Sequence, residues 1–540
     1  MSLAEQKKFS ENSMNIDIRN INSTYEAKAS VTPELIIALC GPIGSPLHET
    51  AIQIGNILKD FNYSTELIRL SDLIRLNICS SGIEVNEKSR FLEIDSLIKG
   101  GDSLRQKFGN DILAKMAIAK IGGDRIKTYG DFKDLAKEGE TPENKKIKSQ
   151  RICHVIDSVK NKDELELLQV IYGNALFSFG VFSPLEIRKK NLEYLEELSQ
   201  NDIEKLIDTD SGEEFSHGQS VRDTFPKCDF FLRVDESIKG HSEAKAKSQI
   251  SENLLRLFKL IFRTAVLSPT LQENAMYAAA SASRNSACLS RQVGAAVTSE
   301  NGELLSTGWN DVPNSDGGLY GKPALNGILK EDHRCYAEKG AKCHNDIEKY
   351  AIAEMIVESL INESVLTKRK KTSAIDTIIK HTRLKDLIEF SRAVHAEMHS
   401  ILIASRVAGE KIVGGKIFVT TYPCHACARH IIAAGIKEVY YIEPYRKSLA
   451  TRLHSDAMTE AASSDEGSVR IIQYDGVAPR RFLDLFESES RKGKGGMLQL
   501  QEQEDALPST NVSLRAIPRL EQVVVAEISS KSLQLPGLAS

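Results

Sequence analysis

The 540-residue chain has no apolar run approaching the roughly 18 residues that a membrane span requires. Its opening stretch, MSLAEQKKFSENSMNIDIRN, lacks the apolar segment of a secretory signal. The protein is therefore expected to stay where it is made, in the cytoplasm. Cysteine is sparse, nine residues without a paired framework. That argues against a disulfide scaffold and for a reducing compartment, with the thiols in metal or structural roles. An excess of positive charge is missing as well. With a net charge of −4 and a pI near 6.4, nothing global predicts tight binding to nucleic acid. The run Lys368-Arg369-Lys370-Lys371 is the local exception. It reads as solvated charge, with a triphosphate or an RNA as the alternative contact.

What is present is the composition of a soluble globular protein, 41% hydrophobic and 27% charged, in a chain long enough for two to four units at roughly 150 residues each. Two units are visible, both α/β. Residues 1–33 and 487–540 read as disordered or low-complexity ends. The first unit, 34–262, opens with the apolar run Leu35–Cys40, a candidate buried parallel strand, followed by a Gly/Pro/Ser turn and a helix from His48 to Asp60. The second, 268–486, opens with a helix near Leu271–Ser286. A hairpin follows, Gly294–Thr298 turned at Glu300-Asn301-Gly302 into Leu304–Gly308. A polar insertion, 314–380, precedes a helix carrying His395 and Glu397. The second unit then has a strand at Lys416–Thr420 and a helix at Cys427–Ala434 closed by Gly435.

The chemistry-bearing pieces are His395-Ala396-Glu397 and Pro423-Cys424-His425-Ala426-Cys427. A catalytic zinc needs three protein ligands and one open position for water. His395, Cys424 and Cys427 fill the three corners, and Glu397 is left free to move protons. The combination is the signature of zinc deaminases that act on cytosine or adenine rings. A structural zinc knuckle is disfavoured because such sites normally have four protein ligands. His399, four residues after His395, suggests a zinc-protease pair, but Ala396 stands where that pattern requires glutamate. His399, His425 and His430 are therefore read as packed or peripheral residues.

Further segments make the likeness more specific: Arg291-Gln292-Val293-Gly294-Ala295, Gly308-Trp309-Asn310-Asp311-Val312-Pro313 and Ala434-Gly435-Ile436-Lys437-Glu438-Val439. Together with the two motifs they resemble the deoxycytidylate deaminase branch of the cytidine deaminase superfamily. The resemblance implies a three-layer α/β/α domain, zinc on His395, Cys424 and Cys427, and Glu397 as proton shuttle. It also implies substrate contacts from Asn310, Ala396 and Tyr445. Asn310 capping a turn and Tyr445 sitting in a core are the structural alternatives. Near-neutral charge favours a free nucleotide over a nucleic acid as substrate. Asp332-His333-x-Cys335 and Cys343-His344-Asn345-Asp346 offer ligands for a second, structural zinc. Their spacing matches no metal pattern, so a substrate-covering loop with free thiols is expected there instead.

In the first unit, Gly41, Gly44 and Ser45 stand where a phosphate-binding P-loop would sit, but Pro46-Leu47-His48 replaces the lysine and hydroxyl that hold phosphate and magnesium. Gly101–Arg105, Asp157-Ser158 and Gly180–Pro184 with Glu186 and Arg188 resemble nucleotide kinases. A P-loop kinase-like parallel-sheet domain without phosphoryl transfer is thus expected, either structural or binding a nucleotide for regulation through its backbone amides. The pairing of such a unit with a deoxycytidylate deaminase-like one resembles the anti-phage deaminases that act on dCTP or dCMP. That resemblance implies conversion of deoxycytidine to deoxyuridine nucleotides during infection, a homo-oligomer, and an inhibitory small RNA as partner in some members. A nucleic-acid base deaminase and a nucleotide-sensing regulator are the competing readings.

Overall fold

Leu35-Ile36-Ile37-Ala38-Leu39-Cys40 is apolar without alternation, the pattern of a strand covered on both faces. It forms β1 (Leu35–Cys40), buried along its whole length. The computed structural model describes residues 31–129, 151–194, 198–210, 221–320, 332–444, 448–461, 467–487, 491–509, 517–531 and 533–534. Successive β1 side chains point to opposite layers, as strand geometry requires. Leu35, Ile37 and Leu39 enter one apolar cluster, Ile36 and Ala38 another.

After β1 the chain enters α1 (Leu47–Lys59), whose Leu47, Ala51, Ile54 and Leu58 recur at helical spacing and join the first cluster. Then come β2 (Ser64–Arg69), α2 (Ile112–Tyr129), β3 (Ile152–Asp157) and α3 (Lys162–Tyr172). The start of α3 is set by a reciprocal capping box between Asn161 and Glu164. β4 (Leu176–Phe182), α4 (Leu185–Glu193), α5 (Gln200–Asp210), β5 (Phe230–Arg233) and α6 (Glu243–Ile261) complete the first unit. The five strands pair in parallel in the order β5-β4-β1-β3-β2. Helices α1 and α6 cover one face, α2 and α3 the other.

The second sheet begins after α7 (Leu271–Ser283), which starts at a Thr270–Glu273 capping box. β6 (Gly294–Thr298) and β7 (Leu304–Trp309) form the antiparallel hairpin expected from Asn301-Gly302. The insertion is less of a loop than its polarity suggests. It carries α8 (His344–Asn362) and α9 (Lys371–His381), which bury a cluster of their own around Ala353, Val357 and Ile375. Lys368, Arg369 and Lys370 lie in an exposed turn before α9, and Lys371 pairs with Glu354 and Glu358, as solvated charge would. α10 (Ala396–Val407), β8 (Lys416–Thr421), α11 (His425–Ala433), β9 (Glu438–Glu443), β10 (Met458–Thr459) and β11 (Val469–Gln473) follow. The sheet order is β10-β11-β9-β8-β6-β7, parallel from β8 outward through β9 and β11 to β10. α7 lies on one face and α10 with α11 on the other.

The chain then returns to the first unit at several places, among them residues 504–509, where the Arg151 guanidinium donates to the Glu504 and Asp505 carbonyls and Ala506 joins the cluster around β1. β12 (Gly476–Val477) pairs antiparallel with β5. α12 (Ile517–Ser529) packs on α2, with Ile517, Val524 and Ile528 in the same cluster as Ile112–Ile121. This differs from the reading of 487–540 as a low-complexity end, because a single apolar face at helical spacing is enough to bury a helix whose flanks are polar. At the centre of that contact the Arg125 guanidinium donates to Glu521 at 2.9 Å and to Glu34 at 2.7 Å, all three groups buried. The two sheets also share an apolar layer, in which Phe225, Cys228 and Phe231 meet Met276, Phe418, Tyr440 and Tyr474. Among the described residues no helix is long and apolar enough to cross a membrane.

Candidate active site

Both motif segments sit where a helix begins. His395 precedes the first residue of α10 and Cys424 the first residue of α11, each with extended backbone. Gly308 on β7 makes the placement of α10 sharp. A Cβ there would lie 2.5 Å from the Ser400 nitrogen and 2.7 Å from the Ala396 carbonyl oxygen, so only glycine lets the helix pack this closely on the strand. Ser306 Oγ donates to the Ser400 carbonyl at 2.7 Å, and the Trp309 amide donates to His399 Nδ1 at 3.3 Å. His399 is thereby engaged with β7, its ring edge-on to Trp309, and is a packing residue.

These helix starts bring His395 Nδ1 to 3.4 Å from Cys424 Sγ and 3.3 Å from Cys427 Sγ. One ligand atom from each residue lies within 4.8 Å of the other two. Tetrahedral zinc with ordinary Zn–S and Zn–N bonds has N···S edges of about 3.5 Å, so the donor set and its spacing fit that ion. Electrostatics agree. Hydrogen bonding with Cys427 and the nearby His395 hold the Cys424 thiol down at about 4. The hydrogen bond to Cys424 and burial push Cys427 well above its ordinary range. Two thiols thus share one proton in a corner that favours a cation, and His395 is raised to about 9 chiefly by its hydrogen bond with Cys424. Metal binding would displace both the thiol proton and the extra proton of the His395 imidazolium, since zinc takes thiolate and neutral imidazole.

Glu397 lies in the first turn of α10, 5% exposed. Burial, with the Cys424 thiolate as a second cause, raises its carboxyl to about 7. A carboxyl poised there can accept and release a proton at neutral pH.

Asn310 is buried, and its carboxamide braces a loop. Oδ1 accepts from the Val293 amide at 2.8 Å and Nδ2 donates to the Arg291 carbonyl at 2.9 Å. Ala396 is buried under β7. Tyr445 lies outside the described residues. Sequence reasoning passed over Asp311, although it follows Asn310 directly. Its buried carboxylate accepts from the Ala287 and Val312 amides and pairs with Arg334 of the insertion at 3.4 Å. Its carbonyl accepts from Val394, the residue before His395, at 2.9 Å.

The candidate second metal site is not assembled among the described residues, where His395, Cys424 and Cys427 are the one group of three within reach of an ion. Asp332 is engaged by Arg334 and Tyr336, and His344 by Glu338 at 2.7 Å. Gly41, Gly44 and Ser45 belong to the other sheet, in the turn between β1 and α1.

Residues 269–443 match the model of the cytidine and deoxycytidylate deaminase zinc-binding region. Over 166 residues the chain is 30% identical to the deoxycytidylate deaminase of Enterobacteria phage T2, covering 31% of this chain and 76% of the phage protein. The chain belongs to the cytidine and deoxycytidylate deaminase family. Within this deaminase the zinc-binding region is the second unit, and the His395, Cys424 and Cys427 group is consistent with its zinc site. The deoxycytidylate deaminase of phage T4 is likewise 30% identical, over 31% of this chain and 74% of its own length. ComE operon protein 2 of Bacillus subtilis is 50% identical over 56 residues, 10% of this chain and 29% of its own. The first unit of the deaminase, before residue 269, lies outside the family match.

Proposed function

We propose that the protein hydrolyses the exocyclic amine of a free deoxycytidine nucleotide, dCMP or dCTP, giving the deoxyuridine nucleotide and ammonia. The observation that carries this reading is a buried Glu397 carboxyl beside a His/Cys/Cys corner of zinc dimensions. The similarity to two phage deoxycytidylate deaminases supports the choice of base and sugar. Zinc held by His395, Cys424 and Cys427 would lower the pKa of a water and so supply the nucleophile at neutral pH. Glu397 takes one proton from the attacking water and delivers it to the ring nitrogen beside the reacting carbon, then takes the second from the new hydroxyl and gives it to the departing amine. One water enters and one ammonia leaves. Substrate contacts are assigned to Asn310, whose carboxamide also braces the Arg291 and Val293 backbone, and to Ala396 and Tyr445.

The same reading divides the chain into a kinase-like unit, 34–262, and a deaminase unit, 268–486. It extends to a cytoplasmic, oligomeric enzyme that depletes deoxycytidine nucleotides during phage infection, with a small RNA as its inhibitor. The resemblance stated above is the support for these points.

The test is to incubate the zinc-loaded full chain with dCMP, dCTP, cytidine and cytosine-containing oligonucleotides, following ammonia and the product base. Turnover of dCMP or dCTP is expected, with oligonucleotides inert. Deamination confined to oligonucleotides would replace the proposal with base editing of nucleic acid.

A further inference from the structure

The turn after β1 has the position of a ligand site. In an open parallel sheet, ligands bind beyond the carboxyl ends of the strands, where the chain order departs to both sides. β1 is that place, with β3 and β2 to one side and β4 and β5 to the other. What occupies the turn belongs to the chain itself. The Ile43 amide donates to Asp210 Oδ2 at 2.6 Å, and the other carboxylate oxygen of Asp210 is paired with the Lys160 ammonium. A backbone N–H from a strand-to-helix turn together with a lysine is the donor pair that cradles a phosphate. Here the lysine comes from the exit of β3 and the anion is a carboxylate.

The surroundings hold this arrangement shut. Asp210 is 2% exposed, and a carboxylate buried that deeply needs its charge and lone pairs answered. Ile43 packs its side chain with Leu192 of α4 and Ile203 and Ile207 of α5, which brings the last residue of α5 onto the turn. Gly44 has φ +83°, and a Cβ on it would lie 2.7 Å from the Arg188 carbonyl oxygen. Its own carbonyl accepts from Asn191 Nδ2 at 2.9 Å, and the Ser45 amide donates to the Pro42 carbonyl at 3.1 Å.

We propose that the turn 41–47 is an anion site of the phosphate class whose occupant is the Asp210 carboxylate, held by Ile43 and Lys160. The first unit accordingly takes no nucleotide phosphate at β1 while Asp210 is in place. This inference is independent of the deamination reading.

The test is thermal unfolding of the full-length, zinc-loaded protein against inorganic pyrophosphate. The proteins compared are the wild type, Asp210→Ala, Lys160→Ala and the double variant, with the far-UV circular dichroism spectrum and a cooperative unfolding transition as the check that each is folded. A ligand that binds only the native state raises Tm in a saturable way. Asp210→Ala is expected to gain such a rise beyond the wild type, and the double variant to lose it. Asp210→Asn, which keeps the shape and removes the charge, is expected to show a smaller gain and serves if the alanine variant does not fold. The proposal is overturned if neither Asp210 variant responds more than the wild type. It is equally overturned if the wild type shows a saturable rise that Lys160→Ala abolishes.

Discussion

Two strand exits in this molecule lead into helix starts and end differently. After β8 the chain presents Cys424 and Cys427 to a neighbour, His395, and leaves the space between them for an ion of the right size. After β1 the chain turns through Gly41–Pro46 and fills its own cradle with a carboxylate from another helix. A strand running into a helix offers unpaired amides and a favourable dipole in both places. What separates a working site from a closed one is which side chains converge and whether another part of the protein already answers the donors.

The sharpest break in that comparison comes from the zinc corner. His395→Ala or Cys424→Ala should abolish both bound zinc and deamination, measured by metal analysis and ammonia release. Glu397→Gln should keep the zinc while slowing turnover roughly 10²–10⁴-fold. Retained turnover in the glutamine variant would place the proton transfer elsewhere. Next in size, Gly308→Ala forces a methyl against the Ser400 and Ala396 backbone. It should cost about 1–3 kcal/mol in denaturant unfolding and also lower kcat by shifting α10.

The β1 turn should behave in the opposite sense. Asn191→Ala removes the bond to Gly44 and leaves the Ser237 hydroxyl and Ile238 amide without their acceptor. About 1–3 kcal/mol of stability should be lost with kcat/KM unchanged. A fall in kcat/KM would couple the two exits. The smallest effect concerns Asp102, raised to about 6 by burial against the attraction of Arg105. The folded protein then binds more protons than the unfolded one between pH about 4 and 6, so stability should fall as pH rises through that window and level off above it. Asp102→Asn should flatten the slope, an effect on the order of 1–2 kcal/mol by the same linkage.

Much of the fold was legible because it depends on local patterns. The unbroken apolar run of β1, the i, i+4 spacing in α1 and the Asn301-Gly302 hairpin are decided by residues close together in sequence. The zinc group could be read for a related reason, since metal chemistry fixes residue types and short spacings. Contacts between distant residues left no such trace. Arg125 meets Glu521 across 396 positions, and neither residue alone distinguishes a buried partner from a surface charge. The same holds for Asp210 beneath Ile43, and for Arg334 reaching Asp311 from the insertion. Asn310 was recognised as a motif residue, yet its bonds to Arg291 and Val293 depend on how the hairpin and the preceding loop meet.

The return of α12 to α2 makes the polypeptide a closed circuit, with the metal-bearing half threaded between two pieces of the other. A stop codon shortly before residue 517 would strip Ile517, Val524 and Ile528 from one face of the first sheet and strand Arg125 without Glu521. Losing residues 517–529 would therefore damage the sheet of the first unit, and that unit is not suited to production without them.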